Sequence, residues 1–495
     1  IQSVNYFPKV YTAFQPFALP GVLIPTTSYT TGLDWHWVRR SHTYASNETV
    51  NVVPVLSGIA GLWTSNMDIG RQVAAGGHRS NFIKPPGSND FLTSWGMNLA
   101  GSDGLVWRKH RRVMGPAFGT ELYKLVWKQT SRLYRDMLEA EELKTKDSVD
   151  VPIVQRITLK LAFLVISSCG FGFPVTWDTP PKAADGAMPV QEALKLITDN
   201  SLTWQVVPKW IMALPIPKFR SIRLARRRVA RFMQDQLTER KAQVAASGDT
   251  GADAFTMLVK ANQDESTKYQ LDDEEVIGNV FLLMFAGHET TAHTLAATLG
   301  FMAIHQDIQD EILEHIMSVL GPDRDPEFDD YPKLDKVLAI FYEAGRMFPA
   351  GHILIREATE DSVLEVPNPV GEEGSTAIPV PKGTQVMVDM VGVQYNPRYF
   401  EDPLMYKPSR WYGLPLDSEQ FTAFSVGPRA CIGRRFATVE ATCFLALLLR
   451  DWKVLPILRD GETKDAWGAR VMEASIVITL GVRDIPIRLV RRTRT

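Results

Sequence analysis

Cysteine is scarce in this chain: Cys169, Cys431 and Cys443 are too few in 495 residues to build a disulfide framework. Cys169 and Cys443 sit among apolar neighbours and read as core. The pattern fits a reducing compartment, where a free thiolate survives, and makes the sequon Asn47-Glu48-Thr49 incidental. Charge of one sign is lacking too, because 54 basic and 56 acidic side chains leave a net charge of −2. Such a balance gives no global attraction to nucleic acid or to an anionic membrane. The local basic run Arg220, Arg223, Arg226, Arg227, Arg228 and Arg231 reads as a solvated helix face near lipid headgroups, so no nucleic-acid partner is expected. No apolar run reaches the roughly 18–20 residues that cross a bilayer. Internal repeats and low-complexity tracts are absent.

What is present reads as a globular chain, 45% hydrophobic and 22% charged. Residues 49–63 alternate apolar and β-branched side chains around Ser57-Gly58, the pattern of a β-hairpin. Helical periodicity runs through 103–138, 151–168, 189–204, 218–246, 272–305, 306–320 and 331–348. Strands return between 353 and 393, punctuated by proline and glycine, and again over 471–490. The balance predicts a mainly α chain, one large helical lobe with a minor β-rich lobe, rather than separate domains. The helix from Asp272 is well marked, because Asp272 with Glu275 three residues on forms a capping box. Roughly thirty helical residues span about 45–50 Å, enough to cross a domain.

The most informative segment is Phe424-Ser425-Val426-Gly427-Pro428-Arg429-Ala430-Cys431-Ile432-Gly433. It puts one cysteine in a glycine-flanked loop just before an apolar helix over 436–449. A thiol at a helix N-terminus meets unpaired N–H groups and the positive end of the dipole, which favour the thiolate. Gly427 and Gly433 let the backbone approach something flat and bulky. The run matches Phe-x-x-Gly-x-Arg-x-Cys-x-Gly at each fixed position and resembles the haem-binding loop of the cytochrome P450 superfamily. That resemblance extends over about residues 28–495 as a single domain, with 1–27 a proline-rich leader. The leader reads as an irregular segment of the kind that follows a membrane anchor, and the resemblance implies an anchor upstream of it.

Further motifs follow in the family's order. Ala286-Gly287-His288-Glu289-Thr290-Thr291 resembles the oxygen-activation motif of the central helix. By resemblance, Thr290 hydrogen-bonds the distal oxygen or its water and Glu289 links to a proton route, while His288 is structural or superficial. A mid-helix glycine costs about 1 kcal/mol relative to alanine. Gly287 and Ala286 are therefore expected to make space over a metal, with the helix locally opened. Glu343 and Arg346, spaced to share a helix face, resemble the family's Glu-x-x-Arg pair. Arg410 matches its third partner, and Trp411 stands where phenylalanine is common, a departure expected to leave the charges undisturbed. The resemblance gives the three a structural charge network that locks the cysteine scaffold.

The implied cofactor is haem b, with Cys431 its metal ligand and Phe424, Gly433, Ala286 and Gly287 around it. Its two propionates need buried partners, and Trp107, Arg111, Arg356 and Arg429 lie at family-like positions. The resemblance implies a monooxygenase that inserts one atom of O2 into a lipophilic organic substrate by hydroxylation or epoxidation, at the endoplasmic reticulum membrane facing the cytosol. Its electrons come from an NADPH-cytochrome reductase docked on the basic face of Arg108, Lys109 and Arg112. Residues 81–98, the Trp204 region, 281–285, 350–355 and 475–477 are the expected substrate contacts. Residues 204–219, apolar and proline-broken, roof the pocket, dip into a membrane surface, or form plain core. Alternatives are a haem-thiolate isomerase, lyase or peroxide-dependent oxygenase, and a haem-binding sensor without turnover. The Glu289-Thr290 pair argues for dioxygen.

Overall fold

The computed structural model describes the chain except residues 1–6, 17–20, 22–23, 28–29, 41, 75, 89, 179–187, 201–202, 204–206, 208, 248–250, 264–267, 322–323, 369–371, 417, 477–478 and 493–495. Eight longer helices carry the argument: α1 (Gly104–Met114), α2 (Thr120–Ala140), α3 (Gln155–Phe171), α4 (Pro217–Ser247), α5 (Asp273–Ile304), α6 (Gln306–Leu320), α7 (Asp335–Met347) and α8 (Arg434–Asp451). The capping box at the head of α5 forms as expected: Glu275 N–H donates to Asp272 Oδ1 at 2.8 Å, and Asp272 N–H to Glu275 Oε2 at 3.0 Å. Helix α5 is apolar on nearly all sides, which suits only a helix enclosed by others. It packs along α3 and against α7 through the largest apolar core.

The β lobe is built around one six-stranded sheet. Strands β1 (Lys9–Phe14), β2 (Thr49–Ser57), β3 (Gly61–Thr64), β4 (Phe82–Ile83), β5 (Ile353–Ala358) and β6 (Gln385–Asp389) pair in the order β1-β2-β3-β6-β5-β4. The β2–β3 pair is the expected hairpin, antiparallel in register from Thr49 opposite Thr64. The leader, read above as irregular, contributes β1, which runs parallel to β2 from Lys9 opposite Asn51. Its prolines flank the strand, and the edge position leaves no second ladder for a missing donor to break. A second apolar core under this sheet joins Met67, Ile69 and Val388 to Val426, near the start of the cysteine loop. The loop is thus pinned to the β lobe at one end and to α8 at the other. Two further short strands, β7 (Ala474–Ile476) and β8 (Leu480–Val482), pair as a hairpin beside α5. Among the described residues no helix is long and apolar enough to cross a membrane.

Candidate active site

A short helical turn at Gly427–Arg429 folds the loop back on itself, and a glycine takes the φ of +68° at Gly427 without the strain a side chain would bring. Cys431 N–H then donates to Phe424 O at 2.9 Å, which fixes the thiol at the head of α8. Cys431 opens onto a cavity of about 480 Å³ whose opposite wall is Ala286, Gly287, Thr290 and Thr291 of α5. Phe424, Arg429 and Gly433 line the same space from the loop, Trp107 and Arg111 from α1, and Arg356 from β5. The N–H groups at the helix head act on the thiol in the expected direction, toward the thiolate, and burial opposes them. Burial pushes the Cys431 thiol up, against the Gly433 and Arg434 N–H groups and the Arg111 and Arg434 charges that pull it down. A metal ion held by the sulfur would supply further stabilisation, because a coordinating thiol is deprotonated outright.

Across the cavity from these apolar walls, cations outnumber their partners. Arg429 Nη2 lies 2.8 Å from Asp103 Oδ1, and Lys84 Nζ lies 3.3 Å from the same oxygen. Among the described residues Arg356 finds only a backbone acceptor, Ile355 O at 2.8 Å. Burial and the neighbouring Arg429 push Arg356 down to about 10, and burial brings Lys84 down to about 8. Lys84, Arg356 and Arg429 share one carboxylate and Arg111 lines the same cavity, so positive charge is in surplus there, which suits ligand carboxylates. Arg429 also lies over the Trp107 ring, 4.5 Å from its centroid. Lys84 falls within the expected contact segment 81–98, but its place among the propionate partners was not foreseen, since it stands in no motif.

The charge network beside the loop is complete. Arg346 donates to Glu343 from Nε at 3.0 Å and from Nη2 at 2.9 Å, both side chains being fully buried. Arg410 Nε adds a bond at 3.1 Å and the Lys407 amide another at 2.9 Å. Trp411 is more than a tolerated departure: its indole N–H donates to Glu343 Oε2 at 2.8 Å, which phenylalanine could not do.

Other expectations need correction. Helix α5 continues unbroken past Gly287 instead of opening, while Thr290 and Thr291 bond back to Ala286 O and Gly287 O at 3.0 and 3.2 Å. The small side of Gly287 also faces Ile166 of α3, whose Cδ1 would lie 3.0 Å from an added Cβ. Thr290 borders the cavity, but Glu289 turns away from it and accepts from Thr479 Oγ1 at 2.9 Å. His288 is buried with Nδ1 2.9 Å from Met284 O, a structural placement. Lys109 does not extend the basic face, since its ammonium lies 2.7 Å from Glu275 Oε2 at the head of α5. Arg108 is half-buried near His78, and Arg112 is exposed. Of the expected substrate contacts, Ser88, Leu92, Leu282, Leu283 and residues 353–355 line the cavity. Trp204 and Val477 lie outside the described residues. Phe118 and Ile166 also line it, without any signal in sequence.

The cytochrome P450 family pattern matches residues 73–477, most of the chain. The chain belongs to the cytochrome P450 family. A cytochrome P450 monooxygenase 124 of Postia placenta is 33% identical over 423 residues, covering 84% of this chain and 80% of that protein. Cytochrome P450 4F11 of Homo sapiens is 27% identical, covering 73% and 69%. The crystal structure of a cytochrome P450DA haem domain superposes with a TM-score of 0.73 over 98% of both chains at 20% identity, a likeness of fold. As a P450 this chain is a monooxygenase whose cofactor is haem b, and its redox partner, organic substrate and O2 follow in general terms from the family. The cavity suits the group: its lining holds a thiol, the small residues Ala286 and Gly287, a glycine beside the sulfur and a surplus of cations.

Proposed function

We propose that this P450 hydroxylates or epoxidises a lipophilic molecule, drawing electrons from an NADPH-cytochrome reductase at the cytosolic face of the endoplasmic reticulum membrane. The observation that carries the reading is the cavity between Cys431 and Thr290, apolar over most of its wall. Cys431 would hold the iron, and Arg356, Arg429, Arg111, Trp107 and Lys84 the propionates. When bound, the haem supplies the activation of O2 by two electrons. The chain does the rest: Leu92, Leu282, Leu283 and Ile355 exclude water and orient the substrate, and Thr290 holds a hydroxyl proton at the cavity wall. Glu289, one residue away, is the acid that restores that proton. A peroxide-dependent, isomerase or sensor role has no use for this pair.

Domain and setting belong to the same reading, with 28–495 as one domain and the leader following an anchor. Support for a membrane surface comes from Val55, Leu56 and Ile59 at the hairpin tip and from Trp210, each more than half exposed. Arg112, with Arg108 behind it, is the part of α1 available to an acidic reductase. The first test is the difference spectrum of the dithionite-reduced protein with and without carbon monoxide. A strongly red-shifted Soret band, lost in Cys431→Ala, is expected. A band typical of histidine or neutral-thiol ligation, or the same band in the variant, would remove the mechanism.

A further inference from the structure

Glu289 is held from two sides, away from the cavity. The Thr479 hydroxyl, just before β8, donates to Oε1 at 2.9 Å. His293, one turn along α5, brings Nε2 to 3.8 Å from the same oxygen. The imidazole is wedged between α5 and the β7–β8 hairpin, where a Cβ on Gly481 would lie 2.3 Å from Nδ1 and 2.5 Å from Cγ. Glycine inside a strand weakens it, and the φ of Gly481 lies outside the left-handed range, so this glycine serves the close approach of the ring. Among the described residues Nδ1 is buried with no hydrogen-bond partner, whereas the side chain as a whole keeps 20% of its surface exposed. With Nδ1 closed off, proton exchange runs at Nε2, the nitrogen nearest Glu289.

We propose that His293 is a positioning and proton-feeding residue for Glu289, and through it for Thr290. This rests on the monooxygenase reading of the preceding subsection. Nε2 captures a proton from solvent and releases it to Glu289 Oε1. The N–H bond breaks and the O–H bond forms, so imidazolium returns to imidazole and the carboxylate becomes a carboxylic acid. One water or a small side-chain rotation spans the 3.8 Å gap. The charged or titratable groups acting on the ring are Glu289, which raises its pKa, and His288, which lowers it, both on α5. The hairpin presents the Thr479 hydroxyl and the Gly481 backbone. Burial is the largest influence and pushes His293 below the usual histidine value, so the ring gives up a captured proton readily. Thr479 orients the receiving carboxylate without competing for its proton.

The test uses four variants: Glu289→Gln, His293→Gln, Thr479→Val and Gly481→Ala. In the protein labelled with ¹⁵N at histidine, the imidazole signal that vanishes in His293→Gln should shift in Glu289→Gln and in Thr479→Val. In the haem-loaded protein with reductase and lauric acid as the probe substrate, peroxide released per NADPH consumed should rise several-fold in His293→Gln. The same variant should flatten the pH dependence of that ratio below the usual histidine value of 6.5, where the lowered His293 titrates. Gly481→Ala, which displaces the ring without removing it, should raise peroxide as well. Each variant's carbon monoxide spectrum reports whether it has folded. With the thiolate band intact, an unchanged peroxide ratio and pH profile in His293→Gln, or an imidazole signal indifferent to Glu289→Gln, would overturn the role of His293 alone. A wild-type protein lacking the thiolate band would remove the oxygen chemistry, and this proposal with it.

Discussion

Glu343 and Glu440 are both fully buried, and the fold treats them in opposite ways. Glu343 on α7 accepts from Arg346, Arg410, Trp411 and the Lys407 amide. Glu440 on α8, equally buried, has no hydrogen-bond partner on either oxygen among the described residues, and burial pushes its pKa well above the usual 4.5. Both sites are cut off from water, so depth does not distinguish them. Supply of donors does. An ion in a low-dielectric interior persists only where hydrogen bonds replace its hydration, and otherwise the group takes up a proton and neutralises. Glu343 therefore ties the segments around 394–411 to α7, while Glu440 behaves as a buried neutral acid whose removal leaves no stranded partner.

The largest effect expected from this contrast is that of Glu343→Ala. It strands Arg346 and Arg410 in the interior, and breaking a buried pair from one side costs about 3–5 kcal/mol. Urea unfolding at pH 7 should show that loss, together with weaker haem retention, because Arg346 also anchors the 403–405 segment through Pro403 O and Met405 O. A loss under about 1 kcal/mol would mean that the network is not what holds the scaffold. Trp411→Phe comes next, since it deletes one buried hydrogen bond to a charged acceptor, worth roughly 1.5–3 kcal/mol. If Trp411→Phe unfolds at the same urea concentration as the wild type, the indole bond to Glu343 adds nothing and the aromatic contact with Phe421 suffices.

Legibility in the sequence follows the same physics. Helix α5 could be read because its cap and its apolar run are local, and the cysteine loop because its constraints fall within ten residues. The Glu343–Arg346 pair was readable from i, i+3 spacing, and Arg410 from its place in the motif order. Contacts made by long-range folding were not readable. Lys84 comes to Asp103 only after β4 has joined the sheet, and Thr479 comes to Glu289 only when the β7–β8 hairpin docks on α5. The indole of Trp411 looked like a conservative exchange because nothing in sequence tells where its N–H points. Strand β1 was hidden by flanking prolines that its edge position tolerates.

The smallest effect should come from Glu440→Gln, and its sign should depend on pH. A carboxyl whose folded pKa is raised contributes stability that is fully present below the unfolded value, here 4.5, and is lost as pH rises through the folded pKa. Near pH 4.5 wild type and variant both bury a neutral group of similar shape, so their unfolding free energies should agree within about 1 kcal/mol. Towards neutral pH the unfolded wild type gains by ionising while its folded form cannot, and the amide escapes that loss. Glu440→Gln should therefore become the more stable protein as pH rises, opposite in direction to Glu343→Ala measured in the same buffer. Urea midpoints at pH 4.5, 6 and 7.5 would give the trend. A Glu440→Gln protein that loses stability steadily with rising pH would mean the carboxylate is ionised in the folded state and has donors around it, and the contrast with Glu343 would collapse.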